Sequence, residues 1–127
     1  MRVFLNQSFQ RFCSKAKISD EALSEAIDRA ERGLIDADLG GGVIKQRIPR
    51  PNEGRSGGFR SIVIFRTNER SFFVHGFSKN DVGNISASEL KDLKELGQIL
   101  LNASDSEIGS LVEQGKLREM SYGKQDL

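Results

Sequence analysis

Two short apolar runs separated by polar residues constrain the fold of this chain more than any other feature. The runs are Phe59–Phe65 and Phe72–Phe77, rich in β-branched and aromatic residues, and the segment Arg66–Arg70 between them is polar. This pattern predicts a β-hairpin. Because both faces of both strands carry apolar residues, we expect the hairpin to lie in the middle of a sheet that is covered on both sides.

The length of the turn determines which side chains share a face of the hairpin. With a two-residue turn at Asn68-Glu69, Ile62 lies opposite His75 and Arg60 lies opposite Phe77. The predicted first face consists of Arg60, Ile62, Ile64, Phe73, His75, Phe77 and Lys79. The predicted second face consists of Ser61, Val63, Phe65, Phe72, Val74 and Gly76.

Positive charge is concentrated in the middle of the chain. Arg60 and Lys79 become diagonal neighbours at the hairpin end far from the turn, where two cations need an anion or solvent. The segment Gly40–Asn80 holds eight basic and two acidic residues, whereas the rest of the chain is acidic overall. This asymmetry predicts a localised site for a polyanion, with solvated strand edges as the alternative.

Helical patterns flank the hairpin and complete an α+β order. The predicted elements are a strand at Arg2–Leu5, helices at Gln7–Lys17 and Ser19–Gly33, a strand at Val43–Ile48, the hairpin, two helices that begin at the capping boxes Ser86–Glu89 and Ser104–Glu107, and a possible edge strand in Lys116–Tyr122. The glycine run Gly40–Gly42 lacks the Gly-Lys-Ser/Thr sequence of a P-loop and predicts a flexible turn.

The predicted fold is therefore a single compact α+β domain. Its N-terminal helices pack on a central antiparallel sheet, and further helices follow at the C-terminal end. We assign the domain to residues 1–122 and expect residues 123–127 to fray.

Composition excludes several classes of protein. The 127 residues include one cysteine and one histidine, so no internal disulfide can form and neither a zinc site nor any other cofactor is expected. No apolar run is long enough to span a membrane, and the first residues show no secretory pattern. A cytoplasmic location is the expectation.

The side chains available favour phosphate chemistry. Arginine and lysine hold phosphates and stabilise negative charge in a transition state. RNA supplies its own nucleophile, the 2′-OH, so cleavage needs only a base, a cation and an acid. His75 lies mid-strand between Phe73 and Phe77. That position is typical of a packed core histidine, and the alternative is a general base.

Several motifs resemble the RelE/ParE superfamily of bacterial type II toxins, in particular its RelE/HigB-like branch. They are GGVIKQRI, GRSGGFRSI, GFSKND and NIS, followed by the helix ELKDLKELGQILL. The resemblance implies a compact α+β toxin with a concave antiparallel sheet. It also implies metal-independent cleavage of mRNA in the ribosomal A site, and neutralisation by a cognate antitoxin encoded next to the toxin.

The resemblance also indicates which residues act. It assigns Arg60 to the scissile phosphate and Lys79 to the end of the next strand, with His75 as a candidate acid or base. Some relatives use a histidine or a late tyrosine, and the late tyrosine of this chain is Tyr122, close to the C-terminal end. The basic residues predicted to bind RNA phosphates are Lys45, Arg47, Arg50 and Arg55.

Two other functions remain compatible with the sequence. The ParE side of the superfamily inhibits DNA gyrase without nuclease activity. A small RNA-binding module would show the same basic strands.

Overall fold

The computed structural model describes residues 1–49, 58–78 and 85–123. The strands are β1 (Arg2–Asn6), β2 (Ala37–Gly40), β3 (Val43–Ile48), β4 (Phe59–Arg66), β5 (Arg70–Ser78) and β6 (Leu117–Met120). The helices are α1 (Gln7–Ala16), α2 (Asp20–Glu31), α3 (Ala87–Asn102) and α4 (Asp105–Glu113). No helix among the described residues is long and apolar enough to cross a membrane.

The strands form one sheet in the order β2-β3-β4-β5-β1-β6. All neighbouring strands are antiparallel except β1 and β5, which run parallel. This confirms the predicted α+β class and the antiparallel centre. The strand β2 was not predicted, because Ala-Asp-Leu-Gly contains no β-branched or aromatic residue.

Local capping chemistry sets the starts of the helices. The Ser19 hydroxyl accepts a hydrogen bond from the Ala22 backbone N–H and begins α2. Both predicted capping boxes, at the starts of α3 and α4, have their reciprocal hydrogen bonds. The predicted helix at Gln7–Lys17 is α1, whose first turn is capped by the side chain of Asn6.

The predicted register of the hairpin is correct at one end and wrong at the other. Ile62 pairs with His75 and Arg60 with Phe77, as expected. Near the turn, however, the loop has three residues, and its central residue Asn68 adopts a left-handed conformation with φ of 62°. The additional turn residue is compensated by a bulge at Val74, between the Ile62 and Val63 pairs.

The bulge moves two aromatic residues to faces opposite to those predicted. Phe73 pairs with Val63 and packs in the core beneath α1 and α2. Phe72 pairs with Ile64 and packs in the core beneath α3 and α4. Beyond the bulge, the alternation returns to the predicted faces. The end of the hairpin far from the turn therefore keeps the predicted arrangement.

The sheet is the middle of three layers. One face packs on α1 and α2 through a cluster that includes Phe9, Leu23 and Ile27. The other face packs on α3 and α4 through Leu100, Leu101 and Ile108. The hairpin is thus covered on both sides at the end near its turn.

Side chains near the hairpin turn hold the C-terminal end of α3. Arg66 donates to the Leu101 carbonyl at 3.2 Å. Arg70 donates to the Leu100 and Ala103 carbonyls at 2.9 and 2.7 Å. Cations at a helix C-terminus satisfy its free carbonyls and its dipole. These two arginines are therefore structural, and they lie at the end of the hairpin away from the predicted phosphate site.

The glycine run is a packing site for α3. Gly40, Gly41 and Gly42 all have positive φ, between 61° and 88°. The Gln98 side chain donates to the Gly41 carbonyl at 3.3 Å, and the Cβ of any residue at position 41 would come within 3.0 Å of Lys94. The predicted flexible turn is thus a tight turn held against a helix.

Central burial of the hairpin makes a stability prediction. Val63 is fully buried, so Val63→Asp should bury an unpaired charge and abolish cooperative folding, at a cost of about 4 kcal/mol or more. Thermal unfolding followed by circular dichroism measures this effect. Thr67→Asp adds the same charge at an exposed turn residue and should melt like the parent. A cooperative parent-like transition in Val63→Asp would contradict the assignment of β4 to the core.

Candidate phosphate-binding site

Two rows of cross-strand neighbours form the candidate site. Lys45 pairs with Ile62, which pairs with His75. Arg47 pairs with Arg60, which pairs with Phe77. Directly paired residues in antiparallel strands point to the same face of a sheet. We call the surface made by Lys45, Arg47, Arg60, His75 and Phe77 the cationic face.

The cationic face is continuous with the apolar face that α3 and α4 cover. Val43, Ile64 and Phe72 lie on this side of the sheet and pack against the C-terminal helices. Farther from the hairpin turn, Lys45, Arg47 and Arg60 are half-buried and His75 is exposed. Among the described residues, one half of the surface is thus closed by helices, and the other half is basic and not covered by a helix.

The arginine pair is the central feature of this face. Arg47 and Arg60 lie directly opposite each other, an arrangement that is unfavourable for two like charges. Arg47 Nε and Arg60 Nη1 are buried and have no hydrogen-bond partner, and no described carboxylate forms an ion pair with either side chain. Buried N–H donors without acceptors are costly, so the pair is suited to an anion that bridges both guanidinium groups.

Side chains replace a neighbouring strand along the outer edge of β3. The β2 ladder ends where Ala37 pairs with Lys45, two residues before Arg47. The Asp36 carboxylate accepts the Arg47 backbone N–H, and Arg29 donates to the Arg47 carbonyl at 3.1 Å. Arg29 and Asp36 also form an ion pair at 3.6 Å. Both backbone groups of Arg47 are thereby held in place, and the sequence pattern did not single out either residue.

A buried glutamine fixes the same segment from the inner side. Gln46 is fully buried and donates to the carbonyls of Ala26 and Leu34, both at 3.0 Å. Its side-chain oxygen accepts the Asp36 backbone N–H at 3.2 Å, and its backbone carbonyl accepts the Ser61 hydroxyl at 2.8 Å. The sequence did contain a signal for a buried Gln46, because it lies on the same face of β3 as the apolar residues two positions before and after it.

His75 does not have the environment of a core histidine. The side chain is exposed and lies outside the cluster that packs against α3 and α4, which corrects the expectation of a packed position. The His75 and Phe77 rings lie 5.7 Å apart at 35°. The start of α3 is close by: hydrogen bonds from Ser86 lower the pKa of Glu89, and the charge of His75 adds a smaller effect.

Tyr122 belongs to the opposite side of the sheet. It packs against the cluster beneath α1 and α2, and its hydroxyl donates to Asp28 of α2. Burial, followed by this hydrogen bond, raises the pKa of the Tyr122 hydroxyl. Its position across the sheet from the cationic face and its engaged proton argue against a role in proton transfer there.

The remaining predicted site residues lie outside the described residues. They are Lys79, Arg50 and Arg55. Their roles stay predictions from the sequence. The structure therefore brings together Lys45, Arg47, Arg60 and His75, which come from three adjacent strands.

Comparison with known proteins gives one family. The family model described as the RelE toxin of the RelE / RelB toxin-antitoxin system matches residues 1–120. A comparison with curated protein sequences gives no match. The matched range includes every strand and helix described above.

The unpaired arginines predict stabilisation by inorganic phosphate. At about ten times its Kd, phosphate should raise the Tm by about 4 °C at constant ionic strength, because it binds the native state alone. The Arg47→Ala/Arg60→Ala variant should lose this increase, which differential scanning fluorimetry would measure. Arg11→Ala/Lys15→Ala removes the same amount of charge from exposed positions of α1 and should keep the phosphate-dependent increase in Tm. Equal shifts in both double variants would contradict a phosphate site at the arginine pair.

Proposed function

Because the chain belongs to the RelE toxin family of toxin–antitoxin systems, we propose that it is a ribosome-dependent mRNA endonuclease that inhibits translation. The observation that carries this proposal is the pair of half-buried arginines, Arg47 and Arg60, each with one buried nitrogen that has no hydrogen-bond partner, beside an exposed histidine. Together they provide an anion site and a proton carrier on one open surface.

The geometry suits cleavage by the 2′-OH of the substrate. His75 and Arg60 are diagonal neighbours on adjacent strands, with Cα atoms about 7–8 Å apart. Side chains of this length can reach one phosphate and the ribose next to it. Arg47 approaches the same phosphate from the other side of Arg60, and Lys45 adds charge two residues along β3.

The proposed reaction forms one bond and breaks one bond. His75 accepts the 2′-OH proton as the oxygen attacks the adjacent phosphorus, since histidine can exchange protons near neutral pH. Arg60 and Arg47 stabilise the charge that develops on the phosphorane oxygens. The P–O5′ bond then breaks, and an acid protonates the leaving oxygen, leaving a 2′,3′-cyclic phosphate. We assign the acid to Lys79 from its sequence position.

Membership of the family also implies a cognate antitoxin. We propose that an acidic or amphipathic segment of this partner covers the cationic face. The half-buried cations supply charge complementarity, and the partly exposed ring of Phe77 beside them supplies apolar contact area. A stable pair of this kind buries roughly 1,200–2,000 Å² in total.

Loss of Arg60 should remove activity while the fold remains intact. Arg60→Ala should slow mRNA cleavage on translating ribosomes by about 10²–10³-fold, because a preorganised phosphate contact is lost. Cleavage mapping by primer extension and growth arrest in bacteria are the measurements. Arg11→Ala makes the same charge change on α1 and should remain fully toxic.

Two outcomes would redirect the assignment. Full cleavage by a folded Arg60→Ala/Lys79→Ala double variant would contradict the assignment of the catalytic site. Growth arrest with DNA damage and without mRNA cleavage would instead identify a gyrase inhibitor.

The antitoxin proposal has its own test. Co-expression with the product of the neighbouring gene should give a complex that survives gel filtration. Replacement of Lys45, Arg47 and Arg60 by glutamate should weaken the complex by at least about tenfold, because like charges would then face each other. Unchanged affinity would show that the antitoxin binds elsewhere.

A further inference from the structure

Phe77 is the phenylalanine of β5 that lies beside the arginine pair. It pairs directly with Arg60 on the cationic face and is half-buried. Its inner side packs against the core beneath α3 and α4. The other phenylalanines of the hairpin, Phe59, Phe65, Phe72 and Phe73, are all buried. A half-buried phenyl ring among cations therefore differs from the core aromatics around it.

Phe77 contacts the apolar core on one side and lies next to positively charged residues on the other. The His75 ring is tilted against it at 5.7 Å, and Ile62, fully buried, lies one row away. Among the described residues, no carboxylate pairs with the neighbouring Arg60 or Arg47. The aromatic pair is on β5 and the phosphate-binding groups are on β3 and β4.

We propose that Phe77 is a nucleobase-binding residue, on which one base of a single-stranded RNA stacks while its phosphate lies on Arg60 and Arg47. The proposal rests on the proposed function, because it assigns the base that accompanies the scissile phosphate. It makes Phe77 a substrate-contacting residue for the same site, and it specifies single-stranded RNA as the ligand.

The dimensions of the sheet support this arrangement. Neighbouring strands lie about 4.8 Å apart, so Phe77 is displaced sideways from Arg60 by about the width of a ribose. A nucleotide can then place its phosphate over β4 and its base over β5. Bases in a duplex are stacked on each other and unavailable to such a ring, which selects single strands.

Stacking on Phe77 would be tolerant of sequence, because every base has a π-face. It would add affinity that does not depend on salt, whereas the arginine contacts release counterions and weaken as salt increases. Base and backbone contributions can therefore be separated by experiment. The ring should change affinity alone, and Arg60 should change the salt dependence.

The test uses the full chain and a fluorescent RNA decamer with 2′-O-methyl groups, which cannot be cleaved. The control is a decamer with the same backbone that carries abasic sites in place of the bases. Fluorescence anisotropy would give Kd for both over a range of salt concentrations. The parent protein should bind the base-containing RNA at least about tenfold more tightly than the abasic RNA.

Variants at position 77 isolate the ring. Phe77→Leu retains apolar packing and should abolish the preference for bases, so that the two RNAs bind with about equal Kd. The dependence of Kd on salt concentration should not change. Phe77→Trp keeps an aromatic face and should retain the preference. Arg60→Gln should lower the magnitude of the salt slope by about 0.7 and keep the preference. The Tm of each variant would show whether it is folded.

The proposal fails under any of three results: equal binding of the two RNAs by the parent, no binding of either RNA, or an unchanged preference in folded Phe77→Leu. If Phe77→Leu does not fold, loss of the preference in Phe77→Ser with retention in Phe77→Trp decides the matter in the same way. A base preference that requires Phe77, in a protein that does not cleave mRNA on ribosomes, would support the subsite and overturn the nuclease assignment alone.

Discussion

The pairing of β4 with β5 is the constraint on which the rest of the structure depends. These strands join the edge strands into one sheet and contribute residues to both cores. The bulge at Val74 is the critical detail, because it reconciles a three-residue turn with the register at the far end of the hairpin. Without it, every side chain of β5 beyond Val74 would move to the other face, and His75 and Phe77 would leave the site.

The extent of helix coverage separates the structural part of this sheet face from the candidate functional part. Near the hairpin turn, α3 and α4 bury Ile64 and Phe72. Arg66 and Arg70 hold the end of α3 there by binding its terminal carbonyls. Farther along the same strands no described helix buries the surface completely, and the cations remain half-buried. The same residue type therefore caps a helix at one end of the hairpin and forms an unpaired cluster at the other.

The pairing of Arg47 with Arg60 is locally unfavourable, and the surrounding structure holds the segment that carries Arg47 in place. Two arginines face each other with buried donors unpaired, an unfavourable arrangement when no anion is bound. The segment that carries Arg47 is held by Arg29 and Asp36 at its edge and by Gln46 from the inside. Such support fixes the backbone from which the Arg47 side chain projects, and the proposed stabilisation of phosphorane charge requires cations that are positioned in advance.

The sequence by itself determined the α+β class, the bounds of β3, the three capped helix starts and the cations of one strand face, because alternation and capping are local. Tertiary structure decided the rest. The bulge exchanged the faces of Phe72 and Phe73, α3 left His75 exposed, and α2 engaged Tyr122. The length of a turn, the reach of a helix and the partner of a hydroxyl depend on residues distant in sequence. Periodicity carries no information about such contacts.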